Sequence, residues 1–215
     1  MQIRFLGHSS FLIASESGTR IITDPYHAAE EFTLTDIDES ADIVTVSHQH
    51  PDHNNAAGIE GDPTVINGSR NAKGIEFKAV DSFHDCASGQ ERGPNLIFAF
   101  EIDGIKLCHL GDLGHQLDQQ QISDIGAVDV LFVPVGGGFT VDAKGAWEVC
   151  QSLNPKVVIP MHYKSAGLPF LADASEFLEG KDNVTESDLS AIEFTPDGMP
   201  EQSSIVVLKA ALSTA

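Results

Sequence analysis

The sequence predicts a layered α/β protein in which two β-sheets pack together and helices cover their outer faces. Two observations indicate this class. The first half of the chain has the pattern of strands joined by hairpins, and the second half alternates strands with helices. A third observation concerns organisation: neither a repeat nor a linker-like segment interrupts the 215 residues. We therefore expect one domain over residues 1–215 with a sizeable core.

The first half is predicted to form strands because apolar residues alternate with polar ones between turn signals. Ser17-Gly18 and Asp103-Gly104 are typical hairpin turns between apolar runs. A short helix is predicted over residues 54–59. The predicted strands span residues 2–6, 11–13, 19–23, 41–46, 64–66, 75–81, 95–102 and 105–110.

The second half combines helical periodicity with short apolar runs that are typical of buried strands. Helices are predicted over residues 116–125, 143–153 and 172–178. The predicted strands span residues 128–133, 157–159, 192–194 and 204–208. Alternation of this kind places helices against one face of a sheet, although propensity alone does not choose the topology.

The charge balance argues against two classes of partner. The chain has 32 acidic and 12 basic residues and a formal net charge of −20. Nucleic-acid and anionic-membrane surfaces depend on Lys and Arg, so we expect neither partner. The acidic residues are interpreted as a solvated surface that favours solubility.

The cysteines indicate a reduced compartment, and the lengths of the apolar runs argue against a membrane span. Cys86, Cys108 and Cys150 are an odd number without metal-like spacing, which is typical of buried or free thiols. No apolar run approaches the roughly 18 residues of a membrane span, and no signal-peptide pattern is expected at the N-terminus. The prediction is a cytoplasmic protein.

The most informative stretch is residues 47–53, in which three histidines and one aspartate follow an apolar strand. Neutral imidazole and ionised carboxylate are the ligands that zinc and similar metals prefer. Residues two apart on an extended segment point the same way, so His48 and His50 can converge on one point. Asp52 and His53 follow Pro51 and can form a second pair. This layout suits two adjacent cations.

Three further candidates follow later strands, where rigid elements can aim them at a common point. They are His84, Asp112 and His162. A single histidine at a strand end is more often a hydrogen-bonded structural residue than a ligand. Together with the first cluster, however, the set comprises five histidines and two aspartates. That number is sufficient for two metal sites that share a bridging carboxylate.

These motifs resemble, in their order, those of the metallo-β-lactamase superfamily. They are His48-x-His50-x-Asp52-His53, His84, Gly111-Asp112 and Pro160-Met161-His162-Tyr163. Further motifs are similar to those of the small metal-dependent hydrolases that include ascorbate-6-phosphate lactonase. They are Gly7-His8-Ser9, Thr23-Asp24-Pro25, His109-x-Gly111-Asp112 and Pro134-x-Gly136-Gly137.

The resemblance implies a four-layer αββα sandwich with the site along one edge of the two sheets. It places His48, His50 and His84 on one metal. It places Asp52, His53 and His162 on the other, with Asp112 as the bridge. Asp81 and Asp85 are neighbouring alternatives to His84, and we expect the loop over residues 86–94 to be mobile.

Three residues are candidates for catalytic roles. Asp52 can bind metal and orient the attacking group. His8 and His109 lie close to the metals in this branch, and we prefer hydrogen bonding to a ligand or substrate over direct metal binding. His109 is also one of two candidate proton donors to the leaving group, the other being a metal-bound water. Asp24 is left open between an Asx turn with Pro25 and a role in orienting a ligand.

The predicted function is a metal-dependent hydrolase in which a metal-bound hydroxide cleaves a small ester-like bond, with a lactone or phosphodiester preferred. The expected cofactors are two divalent metal ions, with zinc first and manganese or iron as alternatives. The expected partner is a small-molecule substrate, and a homo-oligomer stays open. A metal-binding or regulatory module of the same fold without turnover is the alternative from another class.

Overall fold

The computed structural model of the chain describes residues 1–28, 33–165 and 168–214. Within these ranges the strands are β1 (Gln2–Gly7), β2 (Ser10–Ala14), β3 (Arg20–Thr23), β4 (Ile43–Thr45), β5 (Thr64–Ile66), β6 (Arg70–Ala72), β7 (Ile75–Phe83), β8 (Pro94–Ile102), β9 (Ile105–His109), β10 (Val130–Pro134), β11 (Val157–Met161), β12 (Val184–Glu186), β13 (Ala191–Glu193) and β14 (Ser204–Val207). The α-helices are α1 (Gln119–Ile125), α2 (Ala143–Leu153) and α3 (Ala174–Leu178).

The strands form two mixed sheets. The six-stranded sheet has the order β13-β1-β2-β3-β4-β5, and the eight-stranded sheet has the order β12-β14-β11-β10-β9-β8-β7-β6. The segment from β1 to β3 is antiparallel, whereas β3, β4 and β5 are parallel. In the larger sheet, β6 to β9 are antiparallel, and β9, β10, β11, β14 and β12 are parallel neighbours.

The main core lies between the two sheets. Phe11 of β2 is fully buried and its ring contacts that of Phe132 of β10, with centroids 4.4 Å apart. Phe98 of β8 is equally buried in the same cluster. Burial of such large side chains dominates the stability of a core. The predicted α/β sandwich is therefore confirmed.

The two outer faces are covered differently. Helices α2 and α3 pack on the eight-stranded sheet, where Val149 and Phe177 join a second apolar cluster. Tyr26 and Ile37, from irregular segments, pack against Val44 on the outer face of the six-stranded sheet. The helix predicted over residues 54–59 is a single 3₁₀ turn, Ala56–Gly58. Among the described residues, this outer layer is therefore irregular rather than α-helical.

Aspartate caps decide where the helices begin. Helix α2 has the predicted bounds, and the Asp142 carboxylate accepts a hydrogen bond from Gly145 N–H at 2.8 Å. Helix α1 begins three residues later than predicted because Asp118 and Gln121 form a reciprocal capping box. Helix α3 begins after Asp173 for the same kind of reason. None of the described helices is long and apolar enough to cross a membrane.

Three differences among the strands have local causes. The short edge strands β6 and β12 were not predicted, because their sequences are too polar and too short to show alternation. Strand β11 runs two residues beyond the predicted end at Ile159. Its ladder with β10 continues through the pair Pro134 and Met161, and Val135 N–H donates to Met161 O at 3.1 Å.

Candidate metal centre

The site lies at one edge of the sandwich, where strands of both sheets end. Strands β1, β3 and β4 of the smaller sheet lead into it, as do β7, β9 and β11 of the larger sheet. Each strand is followed within a few residues by a polar side chain that is buried at this edge. Those side chains belong to His8, Asp24, His48, His84, Asp112 and His162. The seven predicted metal ligands are all found here.

His48, His50 and His84 lie together and make up the first candidate ligand group. Each can offer a ring nitrogen such that the three atoms lie within 4.8 Å of one another. The ring centroids of His48 and His84 are 4.9 Å apart, and those of His48 and His50 are 4.6 Å apart. His48 and His84 are buried, whereas His50 is partly exposed. The open side of this group therefore lies at His50.

Asp52, His53 and His162 form the second group, together with His8. The His8 Nε2 lies 3.2 Å from Asp52 Oδ2, and its ring centroid is 4.5 Å from that of His162. His53 is fully buried, and the Asp52 side chain is 25% exposed. The geometry is consistent with the expected hydrogen bond from His8 to a ligand, and it also allows His8 to be a ligand itself.

Asp112 connects the two groups through a single oxygen. Its Oδ2 lies 3.1 Å from His84 Nε2 and 3.9 Å from His48 Nε2, both in the first group. The same oxygen lies 3.3 Å from His53 Nε2 and 3.1 Å from His162 Nε2, both in the second. This is the position that a bridging carboxylate requires.

Asp24 and Ser47 orient one histidine in each group. The buried Asp24 carboxylate accepts hydrogen bonds from His53 Nδ1 at 2.9 Å, from Ser47 N at 2.8 Å and from Ser47 Oγ at 2.5 Å. Because the Ser47 hydroxyl donates its proton to Asp24, it accepts from His48 Nδ1, 3.0 Å away. Both histidines thus carry a proton on Nδ1 and turn Nε2 toward the centre, where it is the atom that can bind a cation. Asp24 therefore orients ligands, and the alternative of a simple Asx turn does not describe these contacts.

His84 is held by a loop that is well organised rather than open. Its Nδ1 lies 3.4 Å from the carbonyl oxygen of Phe139. The next residue, Asp85, is buried and accepts four backbone N–H bonds, from Ala87, Gly89, Glu91 and Arg92. Burial raises the pKa of Asp85, but the four hydrogen bonds together outweigh burial and lower that pKa to about 2. Asp85 therefore closes the loop, and Asp81 is exposed on β7.

His162 is positioned by its backbone. It has a φ of 50°, its N–H donates to His8 O at 2.9 Å, and its carbonyl accepts from Gly136 N at 3.0 Å. A Cβ at Gly136 would lie 2.3 Å from that carbonyl oxygen. The glycine run after β10 thus allows the close approach of two backbones, rather than forming a phosphate-binding loop.

His109 has a different environment from the one that a proton donor needs. It is fully buried, its Nε2 donates to Ser9 O at 2.9 Å, and its Nδ1 accepts from Gly111 N at 3.2 Å. Burial lowers its pKa, so the ring is neutral at pH 7. Since both ring nitrogens are engaged with the backbone, the structure favours a role in tying the His8 turn to the larger sheet.

Asn95 and Gly111 place the Asp112 loop. Asn95 is fully buried at the start of β8, and its side-chain oxygen accepts from Asp112 N at 3.0 Å. Its amide nitrogen donates to Leu110 O at 2.9 Å. Gly111 has a φ of +54°, and a Cβ there would lie 2.4 Å from Asn95 Oδ1. The Gly-Asp pair of the motif is therefore explained by packing as well as by conformation.

The ionisation states of the site match what a cation requires except at His53. Burial lowers the pKa of His53, but Asp112 and Asp24 outweigh burial and hold that pKa well above its ordinary value, so a cation bound there displaces a proton. Burial lowers the pKa of His8 to about 4 and that of His48 to about 3, so both rings are neutral. Burial raises the pKa of Asp112, but His162 and His53 outweigh it and hold that pKa well below its ordinary value. Burial also opposes ionisation of Asp52, yet the hydrogen bond from His8 and the His53 charge lower its pKa.

Several buried nitrogen and oxygen atoms of the site lack a hydrogen-bond partner. Among the described residues, His48 Nε2, His53 Nε2 and Asp112 Oδ1 have no hydrogen-bond partner although they are shielded from solvent. Burying such atoms unpaired costs about 1–3 kcal/mol each. A divalent cation bound by imidazole nitrogen and carboxylate oxygen removes that cost. The residues present therefore fit a metal centre.

Four residues of this site were not predicted from the sequence to have a role in it. Ser47, Asn95, Phe139 and Arg92 are each placed by contacts with segments that are distant in the chain. A polar residue at the start of an apolar strand was the available signal for Asn95. Nothing in the local sequence indicated the carbonyl role of Phe139.

Comparison with known proteins identifies a family and a similar fold. The family model described as a β-lactamase superfamily domain matches residues 2–162. A UPF0173 metal-dependent hydrolase of Pelotomaculum thermopropionicum is 30% identical over 223 residues, covering 89% of this chain and 96% of the relative. Its counterpart in Carboxydothermus hydrogenoformans is 31% identical over 206 residues, covering 82% and 90%.

A solved structure extends the match to three dimensions. A protein from Thermotoga maritima, described as a candidate Zn-dependent hydrolase of the metallo-β-lactamase superfamily, aligns with a TM-score of 0.82 and 38% identity. The alignment covers 96% of this chain and 97% of that one. The finer resemblance to ascorbate-6-phosphate lactonase stays a prediction. The chain belongs to the metallo-β-lactamase superfamily and, within it, to the UPF0173 family of metal-dependent hydrolases.

Proposed function

We propose that this protein hydrolyses a small ester-like bond, with a lactone or a phosphodiester as the preferred bond. Two divalent cations, zinc first and manganese or iron as alternatives, would be held by the two ligand groups. The observation that carries the proposal is the position of Asp112 Oδ2, which lies within 3.9 Å of four imidazole nitrogens drawn from both groups.

His48, His50 and His84 would hold one cation, and Asp52, His53 and His162 would hold the other, with Asp112 shared. When bound, such cations supply Lewis acidity, which lowers the pKa of water and polarises a carbonyl or phosphoryl oxygen. Asp112 and His48 already have the ionisation states that this binding needs, whereas His53 would release a proton when a cation binds.

The chain supplies positioning and a route for protons. Asp52 is ionised and its Oδ2 is occupied by His8. The Asp52 side chain is 25% exposed, so its carboxylate can orient an attacking water and accept its proton. Since His109 is fully buried with both ring nitrogens engaged, we assign it to support of the His8 turn rather than to protonation of the leaving group. The substrate is proposed to be a small molecule, and a cytoplasmic location stays a prediction from composition.

Elemental analysis of protein purified without added metal tests the cation assignment. The stripped protein is then reloaded with zinc, manganese or iron and assayed on ester, lactone and phosphodiester substrates. We expect turnover that is lost in His50→Ala and kept in His27→Ala, which changes an exposed histidine. Full activity after chelation would refute the proposal, and metal binding without turnover on any substrate would favour the regulatory module.

A further inference from the structure

Arg92 places a positive charge on the wall of a pocket beside the first ligand group. The pocket has a volume of about 440 Å³, and its walls include His48, His50 and Arg92. In the part of the chain that the structure describes, Arg92 makes no ion pair, whereas Arg4 and Arg20 both pair with Glu39. On a chain with a formal charge of −20, an uncompensated arginine at this position needs an explanation.

Two contacts position Arg92, and a third connects its aromatic neighbour to a candidate ligand. Its backbone N–H donates to Asp85 Oδ2 at 2.7 Å, within the loop that follows His84. Its guanidinium carbon lies 4.5 Å from the centroid of the Phe139 ring. The Phe139 carbonyl in turn faces His84 Nδ1. The Arg92 guanidinium is therefore positioned by the same segments that position His84, which lowers the entropy that it loses on binding an anion.

The contact with the Phe139 ring leaves the N–H groups of the guanidinium available for hydrogen bonds. A guanidinium that lies over an aromatic ring keeps its in-plane N–H groups free, and those groups form paired hydrogen bonds to a carboxylate or a phosphate. The guanidinium is also close to the first ligand group, because His48, His50 and Arg92 line the same pocket.

The rest of the pocket suits a small organic molecule. Val46, Pro94 and Leu96 supply apolar surface, and Asn67 and Gln49 supply amide groups. Small-molecule sites commonly have volumes of about 300–1,000 Å³, with apolar walls and a few polar groups that fix orientation. A larger cavity of about 550 Å³ lies around Gly104 and Lys106, at the opposite end of the sheet, and has no histidine in its walls.

We propose that Arg92 determines specificity by binding an anionic group, a carboxylate or a phosphate, that the substrate carries apart from the bond that is cleaved. This inference rests on the proposed hydrolytic function and adds the substrate class to it. The substrate lies between the ligand groups and Arg92, with its apolar part against Leu96 and Pro94. Neutral esters of the same size lack the contact with the guanidinium.

A matched pair of substrates tests this directly. Mono-4-nitrophenyl succinate and 4-nitrophenyl acetate share the scissile ester and the leaving group, and only the first carries a remote carboxylate. In Arg92→Gln we expect kcat/KM for the succinate ester to fall about 10- to 100-fold, and that for the acetate to change less than about 2-fold. Arg92→Lys keeps the charge without the planar fork and should recover part of the loss.

The control removes one positive charge elsewhere. Lys106→Gln changes an exposed residue of β9 at the far end of the sheet. We expect it to leave the preference for the succinate ester within about 2-fold of wild type, because Lys106 does not line this pocket and salt screens the interaction between exposed charges that are not in contact. An equal loss in Lys106→Gln and Arg92→Gln would show a general charge effect and would overturn the proposal.

A binding measurement separates this inference from the proposed function. Succinate and inorganic phosphate are titrated into metal-free protein while the Arg92 Nε–H resonance is followed by NMR. A saturable shift at millimolar concentration supports the assignment, and the stronger of the two anions identifies the group. If the resonance responds to neither anion, the proposal fails even if esters are hydrolysed. If binding is seen without ester hydrolysis, the anion site stands and the proposed function fails.

Discussion

Replacing Asp24 by asparagine tests how the ligand histidines are oriented. The wild-type carboxylate accepts from His53 Nδ1, from Ser47 N and from Ser47 Oγ. An amide has one acceptor oxygen and one donor nitrogen, so at least one buried donor then faces another donor. If the amide nitrogen faces His53, that ring is driven to the tautomer with its proton on Nε2. This tautomer points a proton, rather than a lone pair, at the metal position.

The expected magnitude follows from these contacts. Loss of an outer hydrogen-bond partner of a ligand histidine typically lowers metal affinity about 10- to 100-fold, which corresponds to about 1.4–2.8 kcal/mol. The unpaired buried donor should also lower the free energy of unfolding of the metal-free protein by about 1–3 kcal/mol. Ser47→Ala removes the acceptor for His48 only, so its effect on metal affinity should be smaller, about 10-fold or less.

Zinc affinity is measured by competition with a fluorescent chelator, and circular dichroism verifies that each variant is folded. Asp188→Asn is the matched control, because its side chain is 95% exposed and we expect wild-type affinity. A folded Asp24→Asn protein that binds zinc as tightly as wild type would refute the orienting role of Asp24. Weak binding in the Asp188→Asn control would mean that net charge alone sets the affinity.

Removing the metal with a chelator should lower the melting temperature by about 5–10 °C, since a ligand at about 100 times its Kd adds about 2.7 kcal/mol to stability; an unchanged calorimetric transition would contradict the metal assignment. His109→Gln should lower the free energy of unfolding by about 1–3 kcal/mol and leave the shape of the pH–rate profile unchanged. If one limb of that profile disappeared, His109 would instead transfer a proton in the reaction. Gly111→Ala should cost about 2–4 kcal/mol in urea unfolding, compared with about 1–2 kcal/mol for Gly74→Ala, where a Cβ meets open space. Burial raises the pKa of Asp129, but the Lys156 ammonium and a backbone N–H outweigh burial and lower it. Asp129→Asn should therefore reduce the free energy of unfolding by about 0.5–1 kcal/mol. In urea unfolding at several pH values, this reduction should be complete above the ordinary pKa of 3.8 and should vanish as the pH falls through the lowered pKa.

The fold was predictable where the pattern is local. Helix α2 has the predicted bounds because an amphipathic run begins at an aspartate cap and ends at Asn154, which adopts the left-handed conformation. Strands such as β8 and β10 are long or apolar enough to be recognised. The edge strands β6 and β12 were missed because each has only three residues, two of them polar, which is too short to show a periodic signal.

Only tertiary structure could assign roles to the residues around the ligands. Asp24 was left open between two interpretations, and packing of β3 beside β4 decided the matter by placing it against Ser47 and His53. His109 looked like a proton donor from its place in a motif. Its contact with Ser9, across the interface between the sheets, engages the ring nitrogen that such a role would need.

The sequence by itself determined which residues are candidate ligands and in what order they occur, because these residues follow recognisable strands and strand ends gather at one edge of a sandwich. The tertiary structure decided which oxygen is shared, which histidine tautomers are present and which charge faces the pocket. Those properties depend on distances of a few ångströms between segments that can lie a hundred residues apart in the chain. Such distances are set by the packing of the two sheets and not by any local pattern.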